Sequence, residues 1–119
     1  MESGKGADIR NRAFEFACAV IAVHRWLYKR DPSLRSTSGQ AASAAGSIGA
    51  NLEEGDAAQS KADFISKCNI SLKEARECRY WLRVLSHFVR SKRLEALIAE
   101  STEIIAILTT IVRKSRENS

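Results

Sequence analysis

Proline, cysteine and aromatic residues are all scarce in this 119-residue chain, and each shortage excludes something. A single proline, Pro32, leaves room for long uninterrupted helices. Aromatics make up only 7% of the chain, while Ala, Leu, Ile, Glu, Lys and Arg are abundant. That balance favours helix over strand, because these side chains lose little freedom in a helix. The three cysteines, Cys18, Cys68 and Cys78, are odd in number and show no C-x-x-C spacing, so neither a disulfide framework nor a zinc site is indicated. Each sits among apolar neighbours at helical spacing and reads as a small buried thiol in a reducing compartment. No apolar run approaches the ~18 residues of a membrane span, and the start Met1-Glu2-Ser3-Gly4-Lys5-Gly6 has no signal-peptide core. A cytoplasmic location without membrane contact is expected.

Signatures of catalysis are also missing. A di-iron bundle needs Glu-x-x-His pairs, but Ile21 precedes His24 by three and Val84 precedes His87 by three. His24 reads instead as a hydrogen-bonded residue at a core boundary. No Ser or Cys lies in a base-bearing nucleophile motif, and the glycines match no phosphate-binding fingerprint. Glu53 and Glu54 are adjacent, yet neighbours on a helix point ~100° apart and do not share a site. The expectation is a protein that is not an enzyme and takes no metal or cofactor.

The length fits one domain with one core. Net charge is +5 and the pI is near 9.4, compatible with a polyanionic partner. The charge is uneven: residues 61–93 carry nine basic and three acidic side chains, whereas residues 36–60 carry three acidic and no basic ones.

Hydrophobic periodicity then divides the chain. Residues 1–7 read as a disordered lead-in and 8–116 as a four-helix bundle. The first helix is expected over about 9–30, with Ala13, Phe16, Ala17, Val20, His24 and Leu27 on one face. A second line, Phe14, Ile21 and Tyr28, repeats every seven residues, too wide for one core to use fully, so part of it is a candidate for contact with another subunit. Asp31-Pro32-Ser33 ends this helix. The second, over 36–54, buries Ala41, Ala45, Ile48 and Leu52 and is rich in small residues. Gly46 and Gly49 read as packing glycines at which larger side chains would clash. Ser60 and Asp63 open the third helix, over 61–88, in a variant of the capping box. Its core stripe is Phe64, Cys68, Ser71, Ala75, Cys78, Leu82, Leu85 and Val89. The fourth, over 94–115, has heptad-like apolar spacing from Leu94 to Val112. Four amphipathic helices with short links give an all-α, antiparallel up-down-up-down bundle.

Two stretches are candidates for function. Arg76, Arg79, Arg83 and Arg90 fall within ~60° of one another on the third helix, away from its core stripe. This ridge can contact nucleic-acid phosphates, meet a subunit or protein partner, or form a solvated face laced with Glu74 and Glu77. Trp81 reads as core rather than as a base-stacking platform. The second stretch is Ser47 to Gly55, where Asn51 and Glu54 share a face suited to tying down the bundle end and Gly55 suits a helix-ending turn.

Gln40, Ser47, Ile48, Asn51, Glu54 and Gly55 together resemble the central motif, roughly Q-x6-S-I-P-x-N-I-A-E-G, of a four-helix bundle family. That family is typified by proteins encoded in intervening sequences of bacterial large-subunit ribosomal RNA genes. Ser60, Asp63 and Phe64 match the helix start that follows, and Ser71-Leu72-Lys73-Glu74 resembles the later S-L-x-E segment. Gly49 and Glu53 depart from the usual proline and alanine, and the link after Gly55 lacks a frequent arginine. The resemblance covers about residues 10 to 115 and implies a ring-like homo-oligomer, a pentamer. It also implies kinship in fold with the accessory protein of diversity-generating retroelements, which binds nucleic acid. The expected function is therefore non-enzymatic, non-specific binding of RNA or DNA through the basic ridges of an oligomer. The alternative is a protein-interaction scaffold whose arginines meet Glu95, Glu100 or Glu103 across an interface, with no nucleic-acid role.

Overall fold

Four long helices account for nearly all of the computed structural model, which describes residues 5–118. They are α1 (Lys5–Arg30), α2 (Arg35–Asp56), α3 (Lys61–Phe88) and α4 (Lys92–Glu117), with a 3-10 turn at Pro32–Leu34. No strand occurs among the described residues. Each junction has a local cause. Pro32 cannot donate a backbone hydrogen bond, and the Asp31 carboxylate accepts one from the Ser33 amide at 3.2 Å, so the chain turns there. Ser60 Oγ accepts from the Asp63 amide at 3.1 Å and Ser91 Oγ from the Leu94 amide at 3.3 Å, capping α3 and α4.

Consecutive helices pack side by side and α1 closes the square against α4, an antiparallel up-down-up-down bundle in a single domain. The core is one continuous stack, including Phe16, Val20, Leu27, Ile48, Leu82, Leu85, Leu94, Ile104 and Leu108. Its tightest seam joins α2 to α3. Across it Ser71 Oγ donates to the Ile48 carbonyl at 2.8 Å, and Cys78 Sγ to the Ala41 carbonyl at 3.4 Å. The small side chains Ala41, Ala44 and Ala45 let α3 come close enough for side chains to reach α2 backbone. The α1–α4 seam is bridged by Arg12, whose Nε and Nη2 donate to both Glu100 oxygens at 3.0 and 2.6 Å.

Several details differ from the sequence expectation. Lys5–Ala7 continue α1 instead of joining the lead-in, because extending a formed helix adds a hydrogen bond for each residue fixed. Residues 1–4 of that lead-in lie outside the described residues. Helix α2 runs on through Gly55 to Asp56. Gly55 is thus buried in the last turn, where an added Cβ would sit 3.3 Å from Lys67 Cβ. Close approach of α3, rather than a helix-ending turn, uses that glycine.

Gly46 is exposed, and an added Cβ there would meet nothing within 4 Å. At Gly49 it would meet Ala13 at an ordinary 3.8 Å. The clash expected at Gly46 does not arise within the subunit, whereas Gly49 has room for a methyl group only, and a longer side chain there would press on Ala13 of α1. Each glycine nonetheless costs the helix about 1 kcal/mol relative to Ala.

Cys68 and Cys78 are buried as expected, but Cys18 is exposed, because it lies on the outward line of Phe14 and Ile21.

Candidate nucleic-acid interface

The α3 ridge forms where helical spacing of three, four and seven carries arginines along the flank of α3 that faces α4. Arg76 and Arg83 are exposed. Arg79, half-buried, is held by a 2.9 Å bond from Nε to Thr102 Oγ1 on α4. Arg90 lies two residues past the end of α3, beyond the extended Val89, so it is exposed in the link to α4 and leaves the helical register of the ridge, contrary to expectation. Arg79 and Arg83, with Ser86, His87 and Ile98, line a shallow depression between the two helices. None of the four arginines is in an ion pair among the described residues. Glu74 and Glu77 make no ion pair with the ridge. Glu77 accepts from the Trp81 indole N–H at 3.4 Å, and Trp81 is half-buried against the core as expected. Of the three carboxylates considered as interface partners, Glu100 is already engaged by Arg12.

The fold joins this ridge to a second basic group that linear reading left separate. Up-down-up-down topology brings the end of α1 and the start of α2 to the same end of the bundle as the α3–α4 link. Residues 25–35 and 83–95, which make up that end, hold eight basic and two acidic side chains. The rest of the chain holds eleven basic and twelve acidic ones, so the whole positive excess is concentrated there. Some of the charge is fixed in place. The Arg30 guanidinium lies 4.9 Å from the Trp26 ring centroid and that of Arg35 lies 4.3 Å from Tyr28, while Arg35 Nε donates to the Tyr28 carbonyl. The sequence signal that could have found this group is the antiparallel pairing itself, which places residue 30 and residue 90 at one end.

The Ser47–Gly55 stretch is not drawn into this surface. Asn51 Nδ2 donates to the Ser47 carbonyl of its own helix at 2.9 Å, and Glu54 is exposed. Gln40 is also exposed and Ser47 half-buried. The bundle end is tied instead by Arg10 Nη1 to Asp56 Oδ1 at 2.7 Å and by Lys61 Nζ to the Asn118 carbonyl at 2.7 Å. A mid-helix Asn bonding back four residues satisfies itself locally, so it has little left for a neighbour.

Two of the three thiols are held unreactive by burial. Burial pushes the Cys78 thiol up to about 12, with Glu74 and Glu77 adding to it, and burial also raises Cys68. Neither is a nucleophile near neutral pH. His24 Nδ1 lies 2.6 Å from Ser38 Oγ, the bonded boundary role expected of it. Among the described residues no three His, Cys, Asp or Glu side chains converge as metal ligands, and no helix is long and apolar enough to cross a membrane.

With this geometry in hand, residues 5–110 match the family model for the 23S rRNA-intervening sequence protein. The chain belongs to that family. A solved structure from Bacteroides thetaiotaomicron, a protein of unknown function from the S23 ribosomal protein family, is similar at 36% identity with a TM-score of 0.81. The match covers 87% of this chain and 97% of that one. No curated protein matches. Membership agrees with the resemblance carried by Ser47, Ile48, Asn51, Glu54 and Gly55 and with the four-helix architecture.

Proposed function

We propose that the protein is a non-enzymatic homo-oligomer, a ring-like pentamer, that binds RNA or DNA without sequence preference. The contact surface runs along Arg76, Arg79, Arg83 and Arg90 into the basic end of the bundle. The observation that carries this reading is the concentration of the entire positive excess at one end, continuous with arginines that no carboxylate pairs. Unpaired guanidinium groups suit phosphate oxygens, and phosphate contact is indifferent to sequence. Repetition around an assembly multiplies a weak contact by avidity.

Fluorescence anisotropy with labelled RNA and DNA across a salt series tests the reading. Affinity should fall steeply with salt, with a log–log slope of roughly −0.7 to −0.9 per phosphate contacted. Replacing Arg76, Arg79 and Arg83 together by alanine should flatten that slope by about 2 to 3 for each subunit engaged. Absence of binding at low salt, or a slope unmoved by the triple substitution, contradicts it.

The exposed apolar side chains of α1 and α3 favour a second reading, a protein-interaction scaffold. Recovery of a specific protein after nuclease treatment, with no nucleic-acid affinity, would select it.

A further inference from the structure

The outer surface of α2 is unlike a solvent-facing helix. From Ser36 to Leu52 it carries no charged residue over 17 positions, a length of about 25 Å. Its outward residues are uncharged, and after Gln40 they are small: Ser43, Gly46 and Ala50 are exposed, and nothing in the subunit occupies the space above Gly46. Larger apolar side chains stand on both sides. Among the described residues the exposed large hydrophobics all lie on α1 and α3, the two helices that flank α2.

On α1, Phe14, Ile21 and Tyr28 are 64%, 42% and 48% exposed at seven-residue spacing. Phe14 and Tyr28 each follow by one turn a residue bonded to α2: Arg10 to Asp56 and His24 to Ser38. The line therefore borders α2. On α3, Ile70 and the half-buried Trp81 follow by three residues Lys67, which lies against Gly55, and Cys78, which bonds Ala41. They border α2 from the other side. Glycine and alanine form a floor between two apolar walls.

We infer that this floor receives the Phe14–Ile21–Tyr28 ridge of a second copy of the same chain. The inference rests on the homo-oligomeric part of the proposed function and names its contact surface. Three features fit the ridge to the floor. The ridge spans about 21 Å, close to the length of the uncharged floor. Small residues let another helix axis approach closely, as a ridge packing into a groove requires. The charges on the ridge, Arg25 on its line and Arg35 stacked on Tyr28, are opposite in sign to Glu74 and Glu77, which stand midway along the α3 wall. Used head to tail, ridge into the floor of the next copy, the contact is of the kind that closes rings; used reciprocally it gives a two-fold dimer, and the sedimented mass tells the two apart.

Sedimentation equilibrium on the full chain tests this, with far-UV circular dichroism as the folding control. Gly46→Leu places a side chain in space that is empty in the subunit, so it should stay helical and sediment as one subunit. Ile21→Glu on the ridge should do the same and stands in if Gly46→Leu loses helix. Ala99→Leu, on the exposed side of α4, should assemble like the unaltered protein. An unaltered protein that assembles, with Gly46→Leu and Ile21→Glu folded and equally assembled, overturns the surface but leaves the homo-oligomer standing. An unaltered protein that sediments as one subunit overturns both. Nucleic-acid affinity is read separately and decides neither.

Discussion

Replacing Ser71 by alanine isolates what holds the weakest helix in place. Four glycines lie in α2, which would be a poor helix alone, and its partner α3 reaches its backbone through Ser71. The hydroxyl is 0% exposed and donates to the Ile48 carbonyl at 2.8 Å. In Ser71→Ala that carbonyl keeps its intrahelical bond, so no buried group is orphaned and the loss is one net hydrogen bond, about 1 kcal/mol. Alanine returns a few tenths of this through helix propensity. The remainder, about 0.7 kcal/mol, set against an unfolding entropy of about 0.25 kcal/mol per kelvin for a chain of this length, lowers Tm by roughly 3 °C. Ser71→Leu adds volume at the tightest seam and should cost about 1 to 3 kcal/mol. Thermal melts at one fixed protein concentration measure both, because the Tm of a self-associating chain depends on concentration. Ser66→Ala, exposed on the same helix, serves as reference. A Ser71→Ala melt equal to that of Ser66→Ala, or a Ser71→Leu protein as stable as the parent, would refute the claim that this seam is closed by close helix contact and a buried bond.

Three further outcomes follow from the same geometry. Cys78 rises from 9.0 to about 12 on folding, so above pH 9 the unfolded chain releases a proton that the folded chain keeps. Stability should then fall by up to about 1.4 kcal/mol per pH unit towards pH 12. Chemical denaturation from pH 8 to 11 should show a shallower loss in Cys78→Ala, and equal slopes would contradict the buried thiol. Thiol titration at pH 7.5 should count one reactive cysteine, Cys18, in folded Gly46→Leu and none in the assembled parent before denaturation. Gly55→Leu should lower the melting midpoint further than Gly46→Leu, because its Cβ begins 3.3 Å from Lys67 Cβ inside the subunit, whereas Gly46→Leu loses only what assembly adds. Melts of the two variants with similar midpoints would remove that distinction.

The architecture was legible because strong apolar residues recur at helical spacing. Phe16, Val20 and Leu27, or Leu94, Ile104 and Leu108, leave one face to bury, and each is buried. The cap at Ser60 and the stop at Pro32 are local chemistry, readable a few residues at a time. On α2 the buried line Ala41, Ala45, Ile48 and Leu52 was legible too, but the small residues around it were not. Glycine, alanine and serine differ too little in hydrophobicity to say which small residues face in, so Gly46 looked like packing for the subunit when it faces out. Cys18 misled in the same way, as an apolar neighbourhood on the outward line of α1. The ridge of Arg76, Arg79 and Arg83 could be read from spacing, but its continuation through Arg30 and Arg35 could not, since those residues meet it only through the bundle topology.

The central claim is an assembly of identical subunits that carries nucleic acid on its basic ends. Native mass spectrometry of freshly purified protein reads both halves at once. A single oligomeric species at five times the subunit mass is expected, with bound nucleic acid that nuclease and salt remove. A lone 13.2 kDa species with no associated nucleic acid would contradict it.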